Sequence, residues 1–388
     1  MFSVRYSVRA ARALPAAAPA AALLAVLSLS ALSSAAAQTE RRSIGGRTVA
    51  LYNVAGVVRV ERGRSRDVEF EITRRGRDGG KLRIETGSVR GLPTLRVIYP
   101  DDDVVYRGDV DADRDDRSGR SDRDRNRNWG SRWGSRTESS MNDDGTWGGD
   151  RGWGVGRRRV RVSRTGSGLE AWADIRVLVP EGQELKAYLL VGELRADDVN
   201  GDLTLDVASA RVFTNRTRGV LNIDAGSGGV EVRDARGGRV SVDNGSGGVL
   251  LEGIDSDDCS VDTGSGGVTG TGVGCRRFNL DVGSGGVRLL ESTMSEVSID
   301  AGSGGIELDL RSSPRSLSIE SGSGSVTLRV PDGYSASVDI ETGSGSISTD
   351  FAVRTSRVER NALRGTIGDG RGRLRVETGS GSVRLRRG

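Results

Sequence analysis

Five aspartates, Asp224, Asp243, Asp262, Asp281 and Asp300, recur every nineteen residues, each two positions ahead of a Gly-Ser-Gly-Gly phrase. Glu320, Glu341 and Glu377 hold the same place ahead of Gly-Ser-Gly-Ser. Rows of carboxylates serve two chemistries: hard-cation binding, calcium above all, and acid–base work on glycosidic bonds. The regular spacing argues against the second, because a catalytic pair is set apart by its surroundings and these acids are interchangeable. The calcium reading meets a mismatch, since the phrase is not the GGxGxDx nonapeptide of calcium-binding β-rolls. The expectation is a solvated acidic ladder. Arginine neighbours and hydrogen bonds from serine hydroxyls or corner amides would offset the repulsion between its members. No metal or other cofactor is called for.

The 388 residues include no histidine, which removes Ser-His-Asp and Cys-His nucleophilic sites, HExxH zinc sites and every histidine-ligated metal. No catalytic residue is assigned and the chain is read as a non-enzyme. A polysaccharide lyase or hydrolase on an elongated β-helix is the enzymatic alternative.

The elements that would position the acids follow from the repeat. The first glycine of the phrase falls at Gly226, Gly245, Gly264, Gly283, Gly302, Gly322, Gly343 and Gly379, in steps of 19, 19, 19, 19, 20, 21 and 36. The last step is near two ordinary ones and predicts a degenerate unit within it. Upstream, "LTLDVASARVF" and "LLVGELRA" read as worn copies. A period near twenty is the mark of a solenoid. Each unit alternates apolar and polar residues on either side of the glycines, so two short strands meet at a glycine corner. Leu221, Val240, Cys259, Phe278, Val297 and Leu317 would form one inward ladder, and Ile223, Val242, Val261, Leu280, Ile299 and Ile319 another. Ala235, Ile254 and Val273 mark a third wall. These glycines are expected to take positive φ and to let coils approach closely. The fold class is therefore all-β, a parallel β-solenoid with coils of about 19 residues. Its open ends need guarding, and Arg384, Arg386 and Arg387 are placed to guard one of them.

Composition agrees: 58 glycines, 7 prolines and 4% aromatic residues suit thin layers of small β-branched side chains. The net charge of +4 comes from interspersed arginines and acids, which reads as a solubilising surface and not a nucleic-acid patch. Residues 1–37 read as a signal peptide, with Arg5, Arg9 and Arg12 ahead of an apolar run and Ala35-Ala36-Ala37 at the cleavage site. Residues 38–106 show the period-two pattern of a β-strand region, and residues 157–388 form the solenoid domain. Between them, 107–156 is rich in Arg, Asp, Gly and Trp and is read as a disordered insertion. Its Trp129, Trp133, Trp147 and Trp153 would make, at most, weak contact with membrane or glycan. Cys259 and Cys275 are the two cysteines. An exported chain could join them if the turn before Phe278 folds back; otherwise Cys259 packs as a small apolar side chain.

"VLNIDAGSGGVEV" and its copies, with "LRGTIGDGRGRLRVETGSGSVRL", resemble the bacterial putative-adhesin domain family, exported or membrane-tethered envelope domains of unknown function. The resemblance implies a right-handed β-solenoid and an envelope location: periplasm, outer surface or secreted. It brings no catalytic residues. The leading functional reading is an exported scaffold for adhesion, or for binding an unidentified envelope polymer or protein. The alternative is an envelope-stress sensor or regulator that binds cationic peptides or lipids.

Overall fold

The computed structural model describes residues 39–108, 136–147 and 158–388. The leader and the tryptophans at 129, 133 and 153 fall outside the described residues. Strands dominate what is described, and the one helical element there is a 3-10 turn, Gly79–Lys81. A single sheet takes in 25 strands.

The coils stack in parallel and in register. Leu221 pairs with Val240, Val240 with Cys259, Cys259 with Phe278, Phe278 with Val297 and Val297 with Leu317. All twelve residues of the two predicted inward ladders are 3% exposed or less. Ala235, Ile254 and Val273 are buried on the short third wall. The apolar interior is one continuous cluster running the length of the stack. In-register stacking of β-branched and leucine side chains is what a solenoid gains by repeating its sequence, because each coil buries the face its neighbour leaves open.

The glycine corner divides its labour differently from the expectation. The first glycines of the phrase, from Gly226 to Gly379, do not have positive φ; close approach is what demands them. A Cβ added at Gly264 would lie 2.8 Å from the Gly245 carbonyl oxygen. The left-handed backbone falls two residues on. At Gly266 φ is +138° and an added Cβ would lie 2.0 Å from the Gly247 oxygen. A second corner, which the composition does not announce, turns through φ of 56° at Asp198, 52° at Arg216 and 48° at Asp234. There Arg216 grips Asp198 of the preceding coil at 2.6 Å.

Three further expectations are corrected. First, the strand Thr48–Arg62 is itself a coil of the solenoid, pairing in parallel with Glu184–Asp197, so 38–106 and 157–388 share one sheet. Second, the 36-residue step contains no worn coil. It holds an antiparallel hairpin, Val353–Glu359 with Ala362–Ile367, whose second strand runs antiparallel to Ala336–Thr342. The last coil of the sequence then inserts ahead of its predecessor: Gly372–Ser380 lies between Ser316–Ser323 and Ala336–Thr342. Val383–Arg387 is likewise flanked by Val326–Val330 and Ile347–Thr349, so Arg384, Arg386 and Arg387 do not guard an open end. Arg386 instead pairs with Asp350 at 2.7 Å. The other end is also closed by antiparallel strands, Val68–Arg75 on Trp172–Val179 and Thr39–Ile44 on Val68–Arg75. Reversing strand direction at both ends removes the parallel edge that would template another copy.

Third, part of the insertion is folded. Arg136–Met141 pairs antiparallel with Arg158–Ser163 in a separate three-stranded sheet with Asp103–Val105. Trp147 is 2% exposed and sets its edge on the Tyr52 ring, with centroids 5.5 Å apart. Its apolar ring is part of the core and is not presented to a membrane or glycan. A composition read over fifty residues hides a short segment whose Met141 and Trp147 have somewhere to be buried.

Cys259 and Cys275 form a disulfide, with Cα atoms 6.1 Å apart. The stacking itself brings them together: Cys275 pairs with Ser256 of the preceding coil, three residues before Cys259. The bond staples two adjacent coils.

Candidate functional site

Period two puts every residue beside a buried ladder on the outer surface, so the acids form a row along the outside. The register makes that row continuous: Asp206, Asp224, Asp243, Asp262, Asp281, Asp300, Glu320, Glu377 and Glu341 stand on successive coils. Adjacent members are separated by one strand spacing, about 4.8 Å. Asp206 was not among the expected members; its signal was present in "LTLDVASA", two residues before Ala208-Ser209-Ala210, where the others have Gly-Ser-Gly. Glu377 precedes Glu341 in space because the last coil inserts.

Two other rows border the acids. On one side lie Asn222, Ser241, Ser260, Asn279 and Ser298, in register with one another. On the other lies the column of first glycines, which offers bare backbone. The strip so formed, here the trough, has acids along its middle, hydroxyls and amides on one side and bare glycine backbone on the other.

The charge on this row is not neutralised from within. Four residues upstream on the same strands, the row Arg239, Asp258, Arg277 and Glu296 alternates in sign. There Arg277 lies 2.9 Å from Asp258 and 3.5 Å from Glu296. Among the described residues, Asp224, Asp243, Asp262, Asp281 and Asp300 have no ion-pair or hydrogen-bond partner of this kind, while the charge of Arg375 reaches Glu320. The expected arginine neighbours are present only at the far end, where Arg375 meets Glu377 at 2.5 Å and Arg364 meets Glu341. The acids respond to their surroundings. Partial burial, and after it the charge of Asp243, holds the Asp224 carboxyl above the usual aspartate value. Loss of solvent, then Asp262 and Asp300, does the same to Asp281. Each neighbouring pair repels by about 1 kcal/mol even in water-like surroundings.

Both ends of the trough are roofed. At one, Thr137, Ser139 and Ser140 of the inserted strand, with Arg159, face Ala208, Ser209 and Gly226 across a cavity of about 460 Å³. Here the row passes in register from Asp206 to Tyr188 and Tyr52, whose rings stack 4.3 Å apart. Burial, then the proximity of Tyr188, raises the pKa of the Tyr52 phenol, so it stays protonated. At the other end the hairpin Val353–Glu359/Ala362–Ile367 overhangs a cleft of about 750 Å³, lined by Asp300, Glu320, Glu341 and Glu377 below and Arg357, Glu359 and Asn361 above.

Among the described residues no group of three or more His, Cys, Asp or Glu is arranged to hold a metal ion. The acids face outward singly, one to a coil. They can neutralise repeated positive charge along a line.

The model of a family described as Toastrack DUF4097 matches residues 172–386, more than half of the chain. No curated protein matches it. Among solved structures, the crystal structure of a putative cell adhesion protein from Clostridium sporogenes ATCC 15579 is similar at 11% identity, covering 91% of this chain and 100% of that one, with a TM-score of 0.21. A superposition of that quality carries no shared detail.

Proposed function

We propose that this chain, which belongs to the Toastrack DUF4097 family, is a non-enzymatic exported scaffold of the cell envelope or surface, and that its acidic trough binds a polycationic polymer or a basic envelope partner. The observation that carries this reading is the contrast between two rows on one face. The row through Asp258 and Arg277 neutralises itself, whereas among the described residues five successive acids from Asp224 to Asp300 form no ion pair. Self-repulsion of that kind lowers stability, and a partner of opposite charge would offset it while gaining association rate and specificity. Nucleic acid, itself a polyanion, would be repelled. The export half of the reading rests on the leader-like residues around Arg5, Arg9 and Arg12. An envelope regulator sensing cationic peptides or lipids would use the same face.

The test is a titration of the protein from Gln38 onward with polylysine and with chitosan, each at 50, 150 and 500 mM NaCl. Micromolar or tighter binding that weakens at least tenfold across the salt series supports the reading. Absence of binding at the lowest salt, or binding indifferent to salt, would sink it.

A further inference from the structure

We propose that the slot filled by residues 372–387 is a strand-acceptor site for a second copy of this chain. The segment 372–387 of each copy then seats in the slot of the other, giving a reciprocally exchanged dimer. The proposal does not depend on the acidic trough.

The slot has two walls. Ser316–Ser323 and Val326–Val330 form one, and Ala336–Thr342 and Ile347–Thr349 form the other. Both walls precede in the chain the segment that separates them. Until that segment arrives, the first wall is an open parallel edge, which templates any strand of matching pattern.

What the slot selects is a pattern that every copy carries. Leu374, Val376, Val383 and Leu385 are 1% exposed or less, and their strands pair with both walls. The inserted "VETGSGSV" differs from "IETGSGSI" of the adjoining wall only by valine for isoleucine at its two ends. The same segment of another copy meets the slot with the same side chains and the same backbone pairing. Interchangeable motifs are why repeat proteins exchange elements in this way.

The turn that delivers the segment is lightly held. Gly368 and Gly370 turn through φ of 59° and 72°, and Asp369 and Arg371 are exposed. The amides of Asp369 and Arg371 donate to Ser335 Oγ at 3.0 and 3.2 Å. Opening this turn gives up few contacts, and those of 372–387 re-form in the other copy. Concentration then sets the balance. A short tether holds its own segment at an effective concentration of about millimolar, so dilute wild type is monomeric. Exchange is expected when chains refold together near that concentration, or when the turn is made unfavourable.

The experiment refolds the protein from Gln38 onward out of urea, its native disulfide intact, at about 2 μM and about 500 μM, well below and near the tether's effective concentration. One chain carries S318C and the other R375C, positions in register only where 372–387 fills the slot. The equimolar mixture is diluted, treated with a short bismaleimide, and the link mapped by mass spectrometry. A 318–375 link between chains is expected after refolding at the higher concentration, and at least tenfold less at the lower. S241C in place of S318C lies five coil steps from residue 375, about 24 Å, and should give no link. G368V/G370V places branched side chains at two positive-φ positions, against Ser335 and Thr366. An extended hinge relieves that strain, so the dimer fraction at the lower concentration should rise at least tenfold, read by gel filtration with light scattering. Absence of the 318–375 link after refolding at the higher concentration, or equal linking by S241C, would overturn the proposal. So would a folded G368V/G370V protein that stays monomeric. Should that variant not fold, the cross-link between the S318C and R375C chains alone decides.

Discussion

Glu320 stands in register with Glu377, and Glu341, which follows Glu320 in the chain, lies beyond them both. Among the described strands, the coil 336–349 therefore pairs with the rest of the solenoid only through the C-terminal coil. Deleting residues 371–388 removes not a terminal repeat but an internal one. The expected outcome is a fall in the thermal midpoint together with exposure of 336–367 to protease, because Val338 and Ile340 lose the Leu374 and Val376 they stack on. A truncated protein that melts like the full one would show that the coil can close directly onto Ser316–Ser323.

The two glycines of one corner should answer differently to alanine. Gly266→Ala meets both a left-handed φ and a carbonyl oxygen 2.0 Å from the new Cβ; Gly264→Ala meets only the oxygen, at 2.8 Å. Urea unfolding should place G266A at least about 2 kcal/mol below wild type, with G264A between the two. Exposed Ser265→Ala should stay within about 0.5 kcal/mol. A G264A protein less stable than G266A would contradict the division of roles at the corner.

The pH dependence follows from the acids that are raised. Asp224 and Asp281 have folded-state pKa values above the ordinary 3.8. The folded form therefore holds their protons more tightly than the unfolded form. Their contribution to stability is fully present below 3.8 and is lost as pH rises through the higher folded values. Asp198 and Glu359, lowered by Arg216 and Arg357, act in the opposite sense below their usual range. The two groups are separable by substitution. D281N should raise the melting midpoint at pH 7 and gain little or nothing at pH 3.5, as read by differential scanning calorimetry. A D281N gain that is as large at pH 3.5 as at pH 7 would contradict the repulsive origin.

What the sequence made legible was whatever repeats. The inward ladders through Val240 and Val242 and the acidic row through Asp243 could be placed because period nineteen fixes register and period two fixes side. What escaped was set by contacts between segments distant in the chain. The insertion of Gly372–Ser380 ahead of Ala336–Thr342 leaves no local trace, since both segments carry the same motif. The folding of Arg136–Met141 depends on Arg158–Ser163 and on Tyr52, and the surrounding composition masks it. The second corner at Arg216 was invisible because a non-glycine residue takes the left-handed turn there, held by Asp198. The uncompensated state of the acids was also hidden, because the sequence does not show that an arginine such as Arg277 pairs with Asp258 and Glu296 in another row.

The most direct test of the central claim is made on one variant, D243N/D262N/D281N, in which stability and binding are measured together. If the acidic row is kept for a cationic partner at the expense of the fold, relief of repulsion should raise the melting midpoint by several degrees. The same change should weaken polylysine binding at 150 mM NaCl at least tenfold. A variant that binds polylysine as wild type does, whatever its midpoint, would contradict the account.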